Sequence, residues 1–552
     1  MSTAMTRTSP AARARRALAA ASLALAAGLG ASATACTDVT VEPRSAIGSG
    51  NVFSDSAAYQ AYIAKVYSGL AQSGSQGSGS SDITGIDAGF GQYLRVLWNL
   101  EELPTDEAIL AWNDQAAGVQ QLNTQTWTPD NGSSSALYSR ILLQATLASD
   151  FLRQTTDDQL SARRVGTGLR TQVQRFRAEA RFLRALSYFH AIDLYGSVPL
   201  VTEATTIGTT PAQATRQQLY DFAVSELTAA RADLPAANRA DASQYGRATQ
   251  AAVDMLLAKL YLNAQVYTGT ARYAEALAAV TNVTGSSAFS LDPRYQHLFQ
   301  ADNNTSPELI FVVTQDGART QSFGGTTYLM HAPFGDETGG VQALRDFGIN
   351  GGWYGLRARP AFADLYAGMA ADVRGGVRTG TSAIVFTPGQ TLALSKTIDN
   401  FNEGYRVHKY RNVTSTGTGG SDQNFSDIDY PMFRLADAYL MYAEAVTRGA
   451  GGSRATALGY VNALRARAGA PAITDAQLTT AFVLDERARE LFWEGHRRTD
   501  LIRYGQFTGG TKLWQFKGGA AAGTATDAKY NLYPLPANEL SANPGLTQNP
   551  GY

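Results

Sequence analysis

The sequence predicts an all-α protein: a frame of paired helices that carries long irregular insertions. Three observations predict it. Apolar residues recur at helical spacing in blocks along most of the 552 residues. Two of those blocks repeat the same helix, turn, helix order. Between the blocks, residues 284–429 and 71–135 are rich in Gly, Ser, Thr and Asn, with only short β-like pieces such as Leu309–Val313.

The chain opens on Arg7, Arg13, Arg15 and Arg16, followed by the apolar run Ala17–Gly30 and small residues up to Cys36. That order reads as a secretory signal. The run is shorter than the roughly 20 residues that span a bilayer. Ala33-Thr34-Ala35 suits ordinary signal peptidase and also resembles a bacterial lipobox, although the usual leucine three before the cysteine is absent. We expect residues 1–35 to be removed and Cys36 to carry a lipid; the alternative, a bare mature N-terminus, stays open. Cys36 is the only cysteine, and a lone thiol is a liability in an oxidising compartment. Residues 36–50, polar with Pro43 and several Gly and Ser, read as a lipidated N-terminus and tether.

Residues 51–552 read as one large domain. Helical patterning runs through Asp55–Leu70, Leu137–Arg153, Leu169–Tyr195, Arg216–Leu234, Arg247–Tyr267 and Ala271–Val283. It returns at Tyr430–Arg448, Arg454–Ala468, Asp475–Phe492 and Arg497–Tyr504. Thr215 with Gln218 three residues on is a capping box, and Gly196 is a C-terminal stop after Tyr195. The stretch from Leu256 and the stretch from Tyr439 share an Ala/Tyr/Leu helix, a Gly-containing turn and an Ala/Leu helix. Tyr273–Leu277 resembles the second helix of a tetratricopeptide unit, in which small alanines let paired helices nest. The formal charge is -1; removing residues 1–35, with their four arginines and no acids, leaves about -5. Nothing basic enough for a nucleic-acid partner remains.

Several segments, in order, resemble the SusD/RagB family of outer-membrane nutrient-binding lipoproteins of Bacteroidetes-type bacteria. They are Arg177–Phe189 (RAEARFLRALSYF), Asp193–Val201, Tyr430–Ala445, Asp485–Arg503, Tyr533–Pro536 and Asn549–Tyr552. The resemblance implies a SusD-like fold and a non-enzymatic role. Such a protein captures an oligosaccharide or other polymer fragment at the cell surface and acts as the lid of a SusC-like TonB-dependent transporter. The outer membrane would hold it through the lipid on Cys36, and no cofactor is implied. The motif residues themselves read as structural: Arg177, Glu179, Arg181 and Arg184 alternate charge on one helix, and Glu494, Arg497, Asp500 and Arg503 are spaced to form a ladder on one face.

Sugar capture needs flat aromatic faces and planar polar groups. The insertions supply Trp98, Trp112, Asn113, Tyr328, Arg345, Trp353 and Tyr354 as candidate ligand-binding residues, with Phe334 close by. Trp98, inside the apolar Leu94–Leu100 run, reads as core before ligand. Trp127 and Trp493 read as structural. Thr105-Asp106-Glu107 resembles a family segment near the ligand face. An enzyme is disfavoured: no carboxylate pair stands out, no serine nucleophile elbow is present, and His190, His297, His331, His408 and His496 are scattered without metal-ligand spacing. A helical-repeat scaffold for assembling outer-membrane proteins is the alternative, and the aromatic insertions argue against it.

Overall fold

The computed structural model describes residues 53, 55–335, 346–376, 386–387 and 398–552. Cys36, the tether and Arg345 lie outside the described residues. The frame begins with α1 (Ser56–Ala71), whose first turn is closed by Asp55 Oδ1 accepting from the Ala58 N–H at 2.9 Å. After α2 (Tyr93–Glu102) come α3 (Gly132–Gln154), α4 (Thr167–Leu194), α5 (Arg216–Arg231), α6 (Gln250–Leu262) and α7 (Tyr273–Thr284). The second half contributes α8 (Gly325–His331), α9 (Leu435–Thr447), α10 (Arg454–Ala468), α11 (Thr480–Leu491) and α12 (Arg497–Arg503). Thr215 and Gln218 form the capping box at α5, and Gly196 takes the left-handed conformation, φ 75°, after α4.

Consecutive helices pack in pairs: α3 with α4, α4 with α5, α6 with α7, and α9 with α10, while α7 also packs on α9. Ala252 and Ala258 of α6, Ala276 of α7, Ala438, Ala443 and Ala445 of α9 and Ala457 of α10 are buried at these contacts, where a missing side chain lets axes approach. The two repeated stretches are therefore neighbouring helix pairs. No described helix is long and apolar enough to cross a membrane.

The helical reading from Tyr430 needs correction. Tyr430–Arg434 is a strand, β4, paired antiparallel with β2 (Leu309–Val313), and the helix starts only at Leu435. The insertions are also less irregular than their composition implies, because each holds a helix of the frame. α2 lies in the first, capped by the Gln92 side chain accepting from the Arg95 N–H at 3.0 Å. Its polar residues Arg95, Asn99 and Glu102 fall on one face with the apolar residues opposite, so it is amphipathic, yet nearly every one of its residues is buried. α8 lies in the second, buried throughout.

The expected ladder on α12 is not one. Glu494 precedes the helix and bonds Arg434 and Lys409; Arg497 reaches Asp106, and Arg503 reaches Glu444. Only Asp500 and Arg503 pair within the helix, at 2.7 Å. These charges pin separate elements together in the core, and each remains partnered as a buried charge must. Likewise Arg181 and Arg184 of α4 both bond Glu226 of α5, and Glu179 takes Arg247. Arg434 is a dense node, bonding Glu308, Glu490 and Glu494, and Arg374 is another, bonding Asp372, Glu486 and Glu490.

Candidate functional site: an aromatic platform

Two backbone features build the platform. Short strand β1 (Ile109–Leu110) pairs antiparallel with β3 (Leu356–Arg357), and Ala111 N–H donates to the Gly355 carbonyl at 2.9 Å. That pairing brings Trp112 over Gly355: a Cβ there would lie 2.8 Å from Trp112 Cε2, so only glycine leaves room for the indole. The preceding turn is threaded onto the end of α8. Trp353, Tyr354 and Gly355 donate their N–H groups to the carbonyls of His331, Phe334 and Ala332 at 2.8–3.0 Å. Gly352 is needed for this approach, since a Cβ would lie 2.3 Å from the Phe334 carbonyl oxygen. Tyr354 takes φ 53°, an unusual conformation for a bulky residue and of a kind that concentrates at functional sites.

The two tryptophans are locked to each other. Trp112 Nε1–H donates to the Trp353 carbonyl at 2.8 Å, and their ring centroids lie 6.4 Å apart with planes 40° apart. Both are half-buried, and Asn113 and Tyr354 beside them are exposed. His331 stacks behind Trp353 at 4.7 Å with planes 8° apart, leaving one indole face outward. Its Nδ1 sits 2.7 Å from the Gly351 carbonyl and its Nε2 3.2 Å from the Asn424 carbonyl, so the ring bridges the two loops that edge the platform. Burial holds the His331 pKa below the ordinary histidine value, although both carbonyls oppose that shift. Arg95 supports the other end: its guanidinium lies 4.6 Å from the Tyr328 ring centroid and 5.5 Å from that of Trp112, and Nη1 donates to the Phe323 carbonyl at 3.2 Å.

The structure thus brings Trp112, Asn113, Trp353 and Tyr354 together at the surface. It bears out the reading of Trp98 as core before ligand, and it corrects the expectation that Tyr328 faces a ligand. Trp98 is 1% exposed, with Nε1–H donating to the Trp493 carbonyl at 3.0 Å and its ring edge-on to Trp493. Tyr328 is fully buried and meets Trp112 from below, its hydroxyl on Asn99 Oδ1 at 3.0 Å. Both support the platform and present no face to a ligand. Thr105, Asp106 and Glu107 are also buried. Arg497 and Lys512 overcome the effect of burial and hold the Asp106 carboxyl well below its usual range, while Glu107 accepts the N–H of Trp493. That segment anchors α12 to α2. Phe334 is buried against His408, and Trp127 and Trp493 are core.

Sequence reading missed Phe323, Phe425, His331 and Arg95. Phe323 is 40% exposed, 6.4 Å from Trp353 and 5.1 Å from Phe425, and so widens the aromatic surface. A lone phenylalanine before two glycines was its only signal. The others carried none, because their roles come from packing partners far along the chain. Among the described residues no cluster of His, Cys, Asp and Glu could hold a metal ion.

Comparison with known proteins adds to this geometry. Residues 357–552 match the family described as the SusD family, and residues 83–262 match one described as "Starch-binding associating with outer membrane". The chain is 33% identical over 537 residues to the starch-binding protein SusD of Bacteroides thetaiotaomicron, covering 89% of this chain and 92% of that protein. It is 25% identical over 462 residues to SusD-like protein P2 of Formosa agariphila, covering 78% and 83%. Among solved structures, surface glycan-binding protein A from Bacteroides thetaiotaomicron, in complex with laminarihexaose, superposes with a TM-score of 0.66 at 20% identity, covering 89% of this chain and 98% of that one. A SusD superfamily protein from Bacteroides vulgatus gives 0.68 at 19% identity, covering 91% and 100%.

Proposed function

Because the chain belongs to the SusD family, we propose that it is a non-enzymatic, surface-exposed glycan-binding lipoprotein. It captures oligosaccharides on the aromatic platform and passes them, as a lid, to a TonB-dependent outer-membrane transporter. The observation that carries the binding step is the locked pair Trp112 and Trp353. Two partly exposed indoles held by a 2.8 Å hydrogen bond offer pre-ordered apolar faces for the underside of sugar rings, and ordering them beforehand lowers the entropy lost on binding. Asn113 stands beside them for the hydroxyls, and Tyr354 adds a further exposed ring. Tyr328 and Arg95 pack against Trp112, and Trp98 packs against Tyr328, so the platform is supported from below.

The relative at 33% identity is named for starch binding, so malto-oligosaccharides are the first ligands to test. Isothermal titration against that series, with product analysis of the same mixtures, tests the reading. Saturable binding without cleavage supports it, and hydrolysis products would overturn it. Lid function is tested by co-purification with a TonB-dependent transporter from the same cells. For the anchor, Cys36→Ser is expected to release the protein from outer membranes in cells lacking the transporter, and retention there would show that something else holds it.

A further inference from the structure

Beside the platform a cleft of about 950 Å³ opens between the 83–90 loop, the start of α3 and the start of the short helix Ala537–Ala542. Ligand clefts usually span about 300–1,000 Å³, so this one has room for several sugar rings. Phe90 and Ile86 form one wall, Ser135 and Ser139 of α3 another, and Asn538 closes the end.

The cleft and the platform share a border. Asp114, which lines the cleft, directly follows the exposed Asn113 of the platform. Asp87 lines it on the other side, and Arg95 sits between them: its guanidinium packs against the Trp112 and Tyr328 rings and is acted on by the charges of both Asp87 and Asp114. The loop carrying Asp87 is itself built into the platform. A Cβ on Gly89 would lie 2.9 Å from Phe323 Cβ, so Phe323 seats on the loop whose neighbour Phe90 lines the cleft.

The lining mixes hydroxyl, amide and carboxylate groups with one aromatic ring, Phe90, and aliphatic side chains such as Ile83 and Ile86, so it offers polar partners for sugar hydroxyls and apolar surface for ring faces. Its charged members are Asp87, Asp114, Asp130 and Glu539, and no lysine or arginine lines it. Carboxylates accept hydroxyl protons through strong charge-assisted bonds, whereas an anionic glycan would set like charges against them.

We infer that the cleft is the second half of the binding face, and that it receives further units of the same uncharged glycan chain whose other rings stack on Trp112 and Trp353. This rests on the platform being the glycan site. Short oligosaccharides then fill the platform alone, and longer ones also enter the cleft.

The test is isothermal titration of the mature chain with maltotriose and maltoheptaose, laminaritriose and laminariheptaose, and oligogalacturonides of matching length. In a series that binds, the longer neutral ligand is expected to bind about tenfold more tightly than the shorter, the equivalent of about 1.4 kcal/mol of added contact. Ser139→Trp, which fills the cleft, should bring the longer ligand down to the affinity of the shorter and leave the shorter within about twofold. Asp130→Ala, at an exposed position, serves as a milder variant and should weaken only the longer ligand, by about threefold. Thermal unfolding confirms that each variant is folded. Equal affinities for both lengths, or a folded Ser139→Trp and Asp130→Ala that bind the longer ligand like wild type, would overturn the extension and leave the platform reading standing. Oligogalacturonides that bind as tightly as the neutral chains would overturn its charge selectivity. A wild-type chain that binds neither neutral series would overturn the platform reading and the extension with it.

Discussion

Replacing Trp353 with alanine removes the outward indole face on which the proposed function depends. A tryptophan buries about 150–250 Å² when fully enclosed. Trp353 is only partly exposed, with His331 stacked on one face at 4.7 Å, so about 60 Å² remains for a sugar ring to cover. At about 25 cal/mol per Å² that is about 1.5 kcal/mol, or roughly a 13-fold rise in Kd. Trp353→Phe keeps a smaller face and should recover roughly half of that free energy. The Trp112 hydrogen bond goes to the Trp353 backbone carbonyl, so it survives the substitution, and the fold loses mainly the His331 stack, about 0.5–1.5 kcal/mol. Isothermal titration with maltoheptaose, or whichever neutral oligosaccharide the wild type binds best, reads the affinity. A thermal scan, expected to move by no more than about 4 °C, reads the fold. A Trp353→Ala protein with wild-type unfolding and a Kd within about threefold of wild type would refute the reasoning.

Gly355→Ala places a methyl group 2.8 Å from Trp112 Cε2 and 2.9 Å from Leu110 Cδ1; it should cost about 1–3 kcal/mol by overpacking and weaken ligand binding, with indole fluorescence reporting the displaced Trp112. Arg434→Met leaves Glu308, Glu490 and Glu494 without their shared cation, and urea unfolding should show a loss of about 3–5 kcal/mol. Acid lability follows from the same network. Burial alone would raise Glu486 and Glu490, but Arg374, Arg489 and Arg465 draw Glu486 down to about 2, and Arg467, Arg434 and Arg374 do the same for Glu490. Their folded pKa values lie below the unfolded value of 4.5, so the stabilisation is complete above about pH 4.5 and drains away as pH falls toward 2, up to about 3 kcal/mol for each. Circular dichroism melts across that range should show the decline, and a flat profile would count against it.

The sequence by itself determined the helical frame. Helical period, Thr215 with Gln218 and Gly196 are local signals, and local signals survive without knowledge of the partner. It also marked the residues that end up exposed on the platform, because Trp112, Asn113, Trp353 and Tyr354 stand among polar and glycine-rich neighbours where a buried aromatic has little to pack on. The tertiary structure alone decided the rest. Only the fold shows that Trp98 and Tyr328 lie beneath the platform, that Asp106 belongs to Arg497, and that Phe323, His331 and Arg95 complete the site. Each of these depends on contacts between residues tens to hundreds of positions apart: the polar face of α2 is buried against partners such as Tyr328 on Asn99 and Gly495 on Glu102, and the seven residues of α8 are too few to display a helical period.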